Sequence, residues 1–258
     1  MSLNINDLFS VAGKTVVITG GSRGIGEMIA RAYVENGAKV ILTSRKASDV
    51  EGLAAQLGDA ATPIPADLSQ MAEIERFAKA IEAVTPKVDV LFNNAGASWG
   101  APFDEFPELG WDKIMDINLK SVFFLSQRLI KLLEAAATPQ DNAKIINIGS
   151  IDGQHVSPIE TYSYAASKAG VLHLTRMMAK NLAPRNIQVN AIAPGYFPSK
   201  MTAGIADEIN NNALKTTPMA RWGTPEDMAG VALFLGSRAS GYLCGATITA
   251  DGGYATTA

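Results

Sequence analysis

The most constraining feature of this chain is an alternation. Short, β-branched, nearly continuous apolar runs recur along it: KTVVIT (14–19), AKVILT (38–43), ATPIP (61–65), VDVLF (88–92), AKIINI (143–148), IQVNAI (187–192) and ATIT (246–249). Strands that face water on one side alternate apolar with polar residues; strands covered on both sides do not. Between the runs lie longer helical segments, Ile25–Glu35, Gln70–Val84, Trp111–Ala136, Tyr164–Leu182 and Pro225–Leu235. Strand, helix, strand in repetition implies parallel strands joined by crossover helices. Right-handed crossovers then predict an α/β fold, a doubly wound, Rossmann-like parallel sheet with helices on both faces. No repeat, low-complexity tract or linker interrupts the pattern, so residues 1–258 read as a single domain. The one long irregular stretch runs from about Pro194 to Pro225, and a substrate lid is expected around 195–224.

Composition removes several function classes. Charged residues make up 18% of the 258 and hydrophobic ones 47%, which suits a large core rather than disorder. The net charge of −3 and the lack of a basic tract argue against nucleic acid. His155 and His173 are too few and too scattered for a metal site, and the lone Cys244 has no disulfide partner in the chain. MSLNINDLFSVAGK lacks the basic start and apolar stretch of a signal peptide, and no apolar run is long enough to span a bilayer. A soluble, cytoplasmic protein is expected.

The first strand runs into TGGSRGIG (19–26), which opens the first helix. Main-chain N–H groups at a helix start, with the helix dipole behind them, favour a phosphate, and glycine allows close approach. The spacing Gly20-x-x-x-Gly24-x-Gly26 is not G-x-G-x-x-G, and no G-K-[ST] follows to make a P-loop. The second strand ends LTSRK (42–46). An acid there would hold a ribose 2′-hydroxyl; instead Arg45 and Lys46 stand there, with Arg23 in the glycine turn. Two cations after the strand and no carboxylate favour a 2′-phosphate, hence NADP(H) over NAD(H).

From Gly13 to Gly253 the chain resembles the short-chain dehydrogenase/reductase family, motif by motif and in order. The glycine turn is followed by ADL (66–68), NNAG (93–96), DINLK (116–120), NIGS (147–150), YAASK (164–168) and APGYFPSKM (193–201). The resemblance implies a catalytic set of Asn118, Ser150, Tyr164 and Lys168. It implies cofactor contacts from Gly20, Ser22, Arg23, Gly24, Ile25, Gly26, Arg45, Lys46, Asp67, Leu68, Asn94, Ala95, Gly96, Tyr164, Lys168, Pro194, Gly195, Phe197 and Ser199. Ser199 stands where the family often has threonine and keeps the hydroxyl. A homotetramer or homodimer is implied as well, with helices around 111–136 and 164–182 and the segment ITADGGYATTA at interfaces. NNAGASWG, PGYFPSKMT and PMARWGTPEDMA most resemble the family's NADPH-dependent 3-oxoacyl reductases.

Within YSYAASK, Tyr164 and Lys168 sit at i and i+4 and share a helix face, whereas Tyr162 has Ala166 at that offset. Tyr162 is expected to pack or to line the entrance. A second Tyr-x-x-x-Lys, Tyr196 to Lys200, contains Pro198 and need not form a helical turn. A free phenol has a pKa of about 10, and a nearby ammonium with a cationic nicotinamide would lower it. Tyr164 would then exchange the proton of the carbonyl oxygen, Ser150 would bind that oxygen, and Asn118 would hold a water linking Lys168 to solvent.

Loops at the carboxyl ends of strands supply the candidate substrate contacts Ser98, Trp99, Gln154, His155 and Tyr196, with Met201 and Trp222 beside them. Their aromatic, weakly charged character suits reduction of a ketone such as a 3-oxoacyl group. Oxidation of a sugar, polyol or steroid alcohol uses the same residues. A non-catalytic NADP(H) sensor would have no need of the Ser150–Tyr164–Lys168 set. An epimerase or dehydratase of the extended relatives would need further C-terminal sequence.

Overall fold

A computed structural model describes residues 3–199 and 214–257. After a one-turn helix α1 (Ile5–Leu8), the chain runs β1 (Thr15–Thr19), α2 (Gly24–Glu35), β2 (Lys39–Thr43), α3 (Ala47–Leu57), β3 (Ala61–Pro63), α4 (Met71–Val84) and β4 (Val90–Asn93). Then come α5 (Glu108–Met115), α6 (Ser121–Arg128), α7 (Ile130–Ala136), β5 (Ala143–Ile148), α8 (Tyr162–Leu182), β6 (Ile187–Pro194), α9 (Pro225–Gly236) and β7 (Thr247–Ala250). All seven strands are parallel, in the order β3-β2-β1-β4-β5-β6-β7.

The five inner runs become strands buried on both sides, whereas the edge strands β3 and β7 are only partly buried. Successive side chains point to opposite faces, so neighbours in one strand join different cores. Val17, Ile41, Leu91 and Ile145 pack with Ile74, Phe77, Leu125 and Met178 on one face. Val16, Ile18, Leu42, Phe92 and Ile146 pack with Ile29, Tyr33, Val50 and Met228 on the other. There the Tyr33 hydroxyl donates to Ala232 O at 3.0 Å, tying α2 to α9.

Two helical expectations change. Ala47–Leu57, not foreseen, is a helix; Val50, Leu53 and Ala54 supply its buried stripe. The single helix expected over Trp111–Ala136 is divided, with a wider turn of π type at Asp116–Lys120 between α5 and α6 and a further break near Leu129. Such turns place an extra residue in the helix and re-aim a side chain; here it is Asn118, buried to 1% exposure.

The sheet reverses direction of growth between β1 and β4. Their carboxyl ends part at this switch point, where open α/β sheets leave a crevice. Of the expected lid, Tyr196, Phe197 and Ser199 line that crevice, while Lys200 and Met201 lie outside the described residues.

Candidate active site

A cleft of about 750 Å³ runs over the carboxyl ends of the strands, and the glycine turn and the Ser150–Tyr164–Lys168 group line the same cavity. At one end, Gly20 and Gly24 take φ of +61° and +54°, the left-handed region that suits glycine. A Cβ on Gly26 would sit 2.2 Å from Gly20 O, so only glycine lets α2 start this close to the turn. Asn94 Nδ2 donates to Thr19 O at 2.8 Å and Gly20 O at 3.0 Å. Thr19 Oγ1 accepts from Asn94 N and Ala95 N, each at 2.9 Å. Thr19, which opens the glycine-turn motif but was assigned no role there, thus joins the two loops at the switch point.

Arg45 and Lys46 are exposed at the start of α3, and neither has an ion-pair partner among the described residues. Arg23 Nη1 lies 3.8 Å from Asp49 Oδ2. The residues that end β2 hold no carboxylate, as expected, but Asp49 further on also lines the cleft. That acid comes from the first turn of α3 and engages Arg23, leaving Arg45 and Lys46 as the cations available to a ligand. Asp67 Oδ1 accepts from Ser69 N at 3.1 Å and Ser69 Oγ at 2.8 Å, fixing the loop after β3. Ser22, Ile25, Leu68, Gly96, Pro194 and Gly195 line the wall between. The glycine cradle and these cations fit a phosphate-bearing dinucleotide.

At the other end, Ser150 follows β5, and Tyr164 and Lys168 project from the first turns of α8. The Ser150 hydroxyl lies beside the Tyr164 hydroxyl, close enough to act on its titration. Lys168, 5% exposed, donates from Nζ to Ile148 O at 2.8 Å and lies 5.6 Å from the Tyr164 ring centroid. The expected lowering of the phenol pKa is not supplied by these groups. Burial pushes Tyr164 up to about 12, the Ser150 hydroxyl pulls it down, and the Asp152 charge raises it further. Burial also brings Lys168 down to about 8.

The Asn118 side chain bonds to protein on both sides, which leaves its main-chain carbonyl as the group that could hold a water. Its Nδ2 donates to Ala97 O and Ser167 Oγ, both at 3.0 Å, and its Oδ1 accepts from Ala97 N at 2.9 Å. Both amide protons are committed to protein, so the side chain clamps the loop after β4 to α8. Beneath lies a buried polar ladder that sequence reasoning missed: Asn93 Nδ2 donates to Asn147 Oδ1 at 2.8 Å, and Asn147 Nδ2 to Thr175 Oγ1 at 2.9 Å.

Tyr162 turns away from the cleft, packs edge-on against Phe103 and Phe106, and donates to Glu160 Oε1 at 2.7 Å. Of the substrate candidates, Ser98 and Tyr196 line the cleft and three others do not. Trp99 packs on Gly110, with Lys113 Nζ 5.2 Å from its ring. Gln154 is exposed and accepts from Thr249 Oγ1. His155 stacks edge-on with Tyr254. The cause is the tight turn at Ile151–Gly153, which faces Ile151 and Asp152 onto the cleft, carries Gln154 to the surface and leaves His155 behind Asp152, off the cleft. Trp222 packs beside Tyr196, ring centroids 6.0 Å apart. Lys113, Ser157, Ile159 and Thr161 complete the wall; loops of this kind carry no periodic signal. Among the described residues no cluster of three acidic, histidine or cysteine side chains could hold a metal, and no helix is long and apolar enough to cross a membrane.

Comparison with known proteins agrees with this geometry. Residues 20–255 match a family model described as enoyl-(acyl carrier protein) reductase. The chain is 44% identical over 253 residues to the rhamnolipids biosynthesis 3-oxoacyl-[acyl-carrier-protein] reductase of Pseudomonas aeruginosa, covering 95% of this chain and 98% of that one. It is 39% identical over 255 residues to the 5-keto-D-gluconate 5-reductase of Escherichia coli, covering 96% and 98%. The solved Pseudomonas aeruginosa RhlG/NADP active-site complex superposes with a TM-score of 0.93 at 43% identity, over 96% of this chain and 99% of that one. A gluconate 5-dehydrogenase from Burkholderia cenocepacia, solved with NADP and tartrate, gives 0.90 at 33% identity, over 99% and 100%. With the glycine cradle, the free Arg45 and the Ser150–Tyr164 pair in one cleft, the chain belongs to the short-chain dehydrogenase/reductase family and is an NADP(H)-dependent oxidoreductase.

Proposed function

We propose that the protein reduces a ketone, a 3-oxoacyl group or a similar carbonyl, to a secondary alcohol with NADPH. The observation that carries this reading is that Tyr164, Ser150 and Lys168 stand together on the wall of the cavity that also contains the glycine cradle. When bound, NADPH supplies the hydride. Ser150 is held in place by Asp152 N, which donates to its Oγ at 3.1 Å. Its hydroxyl and that of Tyr164 converge on one point, where they bind a carbonyl oxygen as charge develops on it. Tyr164, protonated well above neutrality, gives that oxygen its proton. Lys168, close to neutral in pKa, is suited to returning one.

Oxidation of a hydroxylated alcohol is the second reading. It is favoured by the polar residues Lys113, Asp152, Ser157 and Thr161 on the substrate wall and by the gluconate dehydrogenases among the similar structures. The proposal extends to a cytoplasmic location and a homotetramer built on the faces of α5, α6 and α8, where Trp111, Phe123 and Met177 are exposed. Light scattering should give four chains per particle. The reading itself is tested by NADPH consumption with a 3-oxoacyl thioester, a keto-sugar acid, an enoyl thioester and a steroid ketone, with the product identified. A secondary alcohol formed from one of the ketones is expected; turnover of the enoyl thioester alone would overturn it.

A further inference from the structure

Asp152 is the one carboxylate among the residues that line the substrate end. Its main-chain N–H is bonded to Ser150, so its position is tied to the reacting pair. Its side chain is 21% exposed, and no described residue donates a hydrogen bond to it. Beside it stands His155, whose Nε2 lies 3.7 Å from Asp152 Oδ1, beyond hydrogen-bond distance. That Nε2 is itself buried with no hydrogen-bond partner. The two groups thus stand side by side with no hydrogen bond between them, and Asp152 opens on the cleft.

An ionised carboxyl offers only acceptors, with room for several donors. Leaving them unmet on a desolvated wall is unfavourable, and a substrate that buries Asp152 against methylene groups would meet that cost in full. A substrate hydroxyl would remove it. Because Asp152 adjoins Ser150, the hydroxyl it reaches lies on a carbon next to the reacting carbonyl. We infer that Asp152 determines specificity: it accepts a hydrogen bond from that hydroxyl, and the site selects hydroxylated ketones over plain 3-oxoacyl chains. This inference rests on the ketone-reductase reading and names the substrate class for it. Sites built to bond a hydroxyl discriminate strongly against analogues that lack one. The alternative role, an ion pair with His155 that only holds the loop, would affect all substrates alike.

The test is kcat/KM with NADPH for a 5-keto-sugar acid and for a 3-oxoacyl thioester, in the unaltered enzyme, Asp152→Asn and Asp152→Leu. The ratio of keto-sugar acid to oxoacyl activity should fall by roughly 10- to 100-fold in Asp152→Leu, the loss of one hydrogen bond to a charged group. Asp152→Asn, which keeps one acceptor, should fall between. Should the leucine variant not fold by circular dichroism, the asparagine variant alone decides. A ratio unchanged within about threefold overturns the inference and leaves the reductase reading intact. An unaltered enzyme that reduces neither ketone overturns both.

Discussion

The two ends of the cleft are made of different material. The cofactor end is largely main chain: the Gly20–Gly26 turn, the carbonyls of Thr19 and Gly20 fixed by Asn94, and the Asp67 loop. The substrate end is side chains on irregular segments, with Lys113 from α5, Asp152 from a tight turn, and Ile159 and Thr161 from the approach to α8. A site shaped by main-chain geometry admits few residue types, because a Cβ at Gly26 has nowhere to go. A site shaped by side chains on loops admits many. The first therefore leaves a pattern in sequence and the second does not.

The largest expected effect falls where the two ends meet. Tyr164→Phe should lower kcat by roughly 10²- to 10⁴-fold, the span of a lost proton donor. The variant should still bind NADPH by fluorescence titration. Retained turnover would place the proton donor elsewhere and undo the division of roles.

Next is the cofactor end. Arg45→Asp should shift the NADPH-to-NADH ratio of kcat/KM toward NADH by roughly 10- to 100-fold, through loss of a charge-assisted bond and gain of repulsion. An unchanged ratio would move selectivity to Arg23 or Lys46.

Stability gives a smaller and opposite signal. Lys168 titrates ordinarily near 10.5 and in the fold at about 8. Its folded pKa is depressed, so the folded state releases the proton first as pH rises. Below about 8 both states are protonated and the penalty is complete, on the order of 3 kcal/mol. It fades between 8 and 10.5 and is absent above. Lys168→Met should therefore raise Tm at pH 7 by a few degrees, after the lost bond to Ile148 O takes its share, while turnover collapses. A lower Tm would show that the lysine is kept for the fold.

The smallest effect sharpens the boundary of the substrate end. Gln154→Ala and Trp99→Phe should change kcat/KM by less than about twofold, as surface changes away from the cleft do. A larger loss would bring those side chains back to the site.

Much of this was legible in the sequence. The five inner strands follow from apolar runs that two-sided burial explains, and the register of Gly20, Ser150, Tyr164 and Lys168 with strand ends and a helix face pointed to the one cleft they share. Tyr162 could be set aside because its offset partner is Ala166, and it packs against Phe103 and Phe106. Helix α3 was missed because its stripe is short and partly alanine, so its tertiary contacts decide it.

Local chemistry determined the strands, the glycine turn and the spacing of the catalytic pair, because each depends on neighbours within a few residues. Only the tertiary structure decided the rest. It brought Asp49 to Arg23, committed the Asn118 amide to Ala97 and Ser167, and turned Asp152 onto the cleft while carrying Gln154 to the surface and leaving His155 off the cleft. Those outcomes depend on which loops the parallel sheet sets side by side at its switch point, and such long-range placement has no period in the chain.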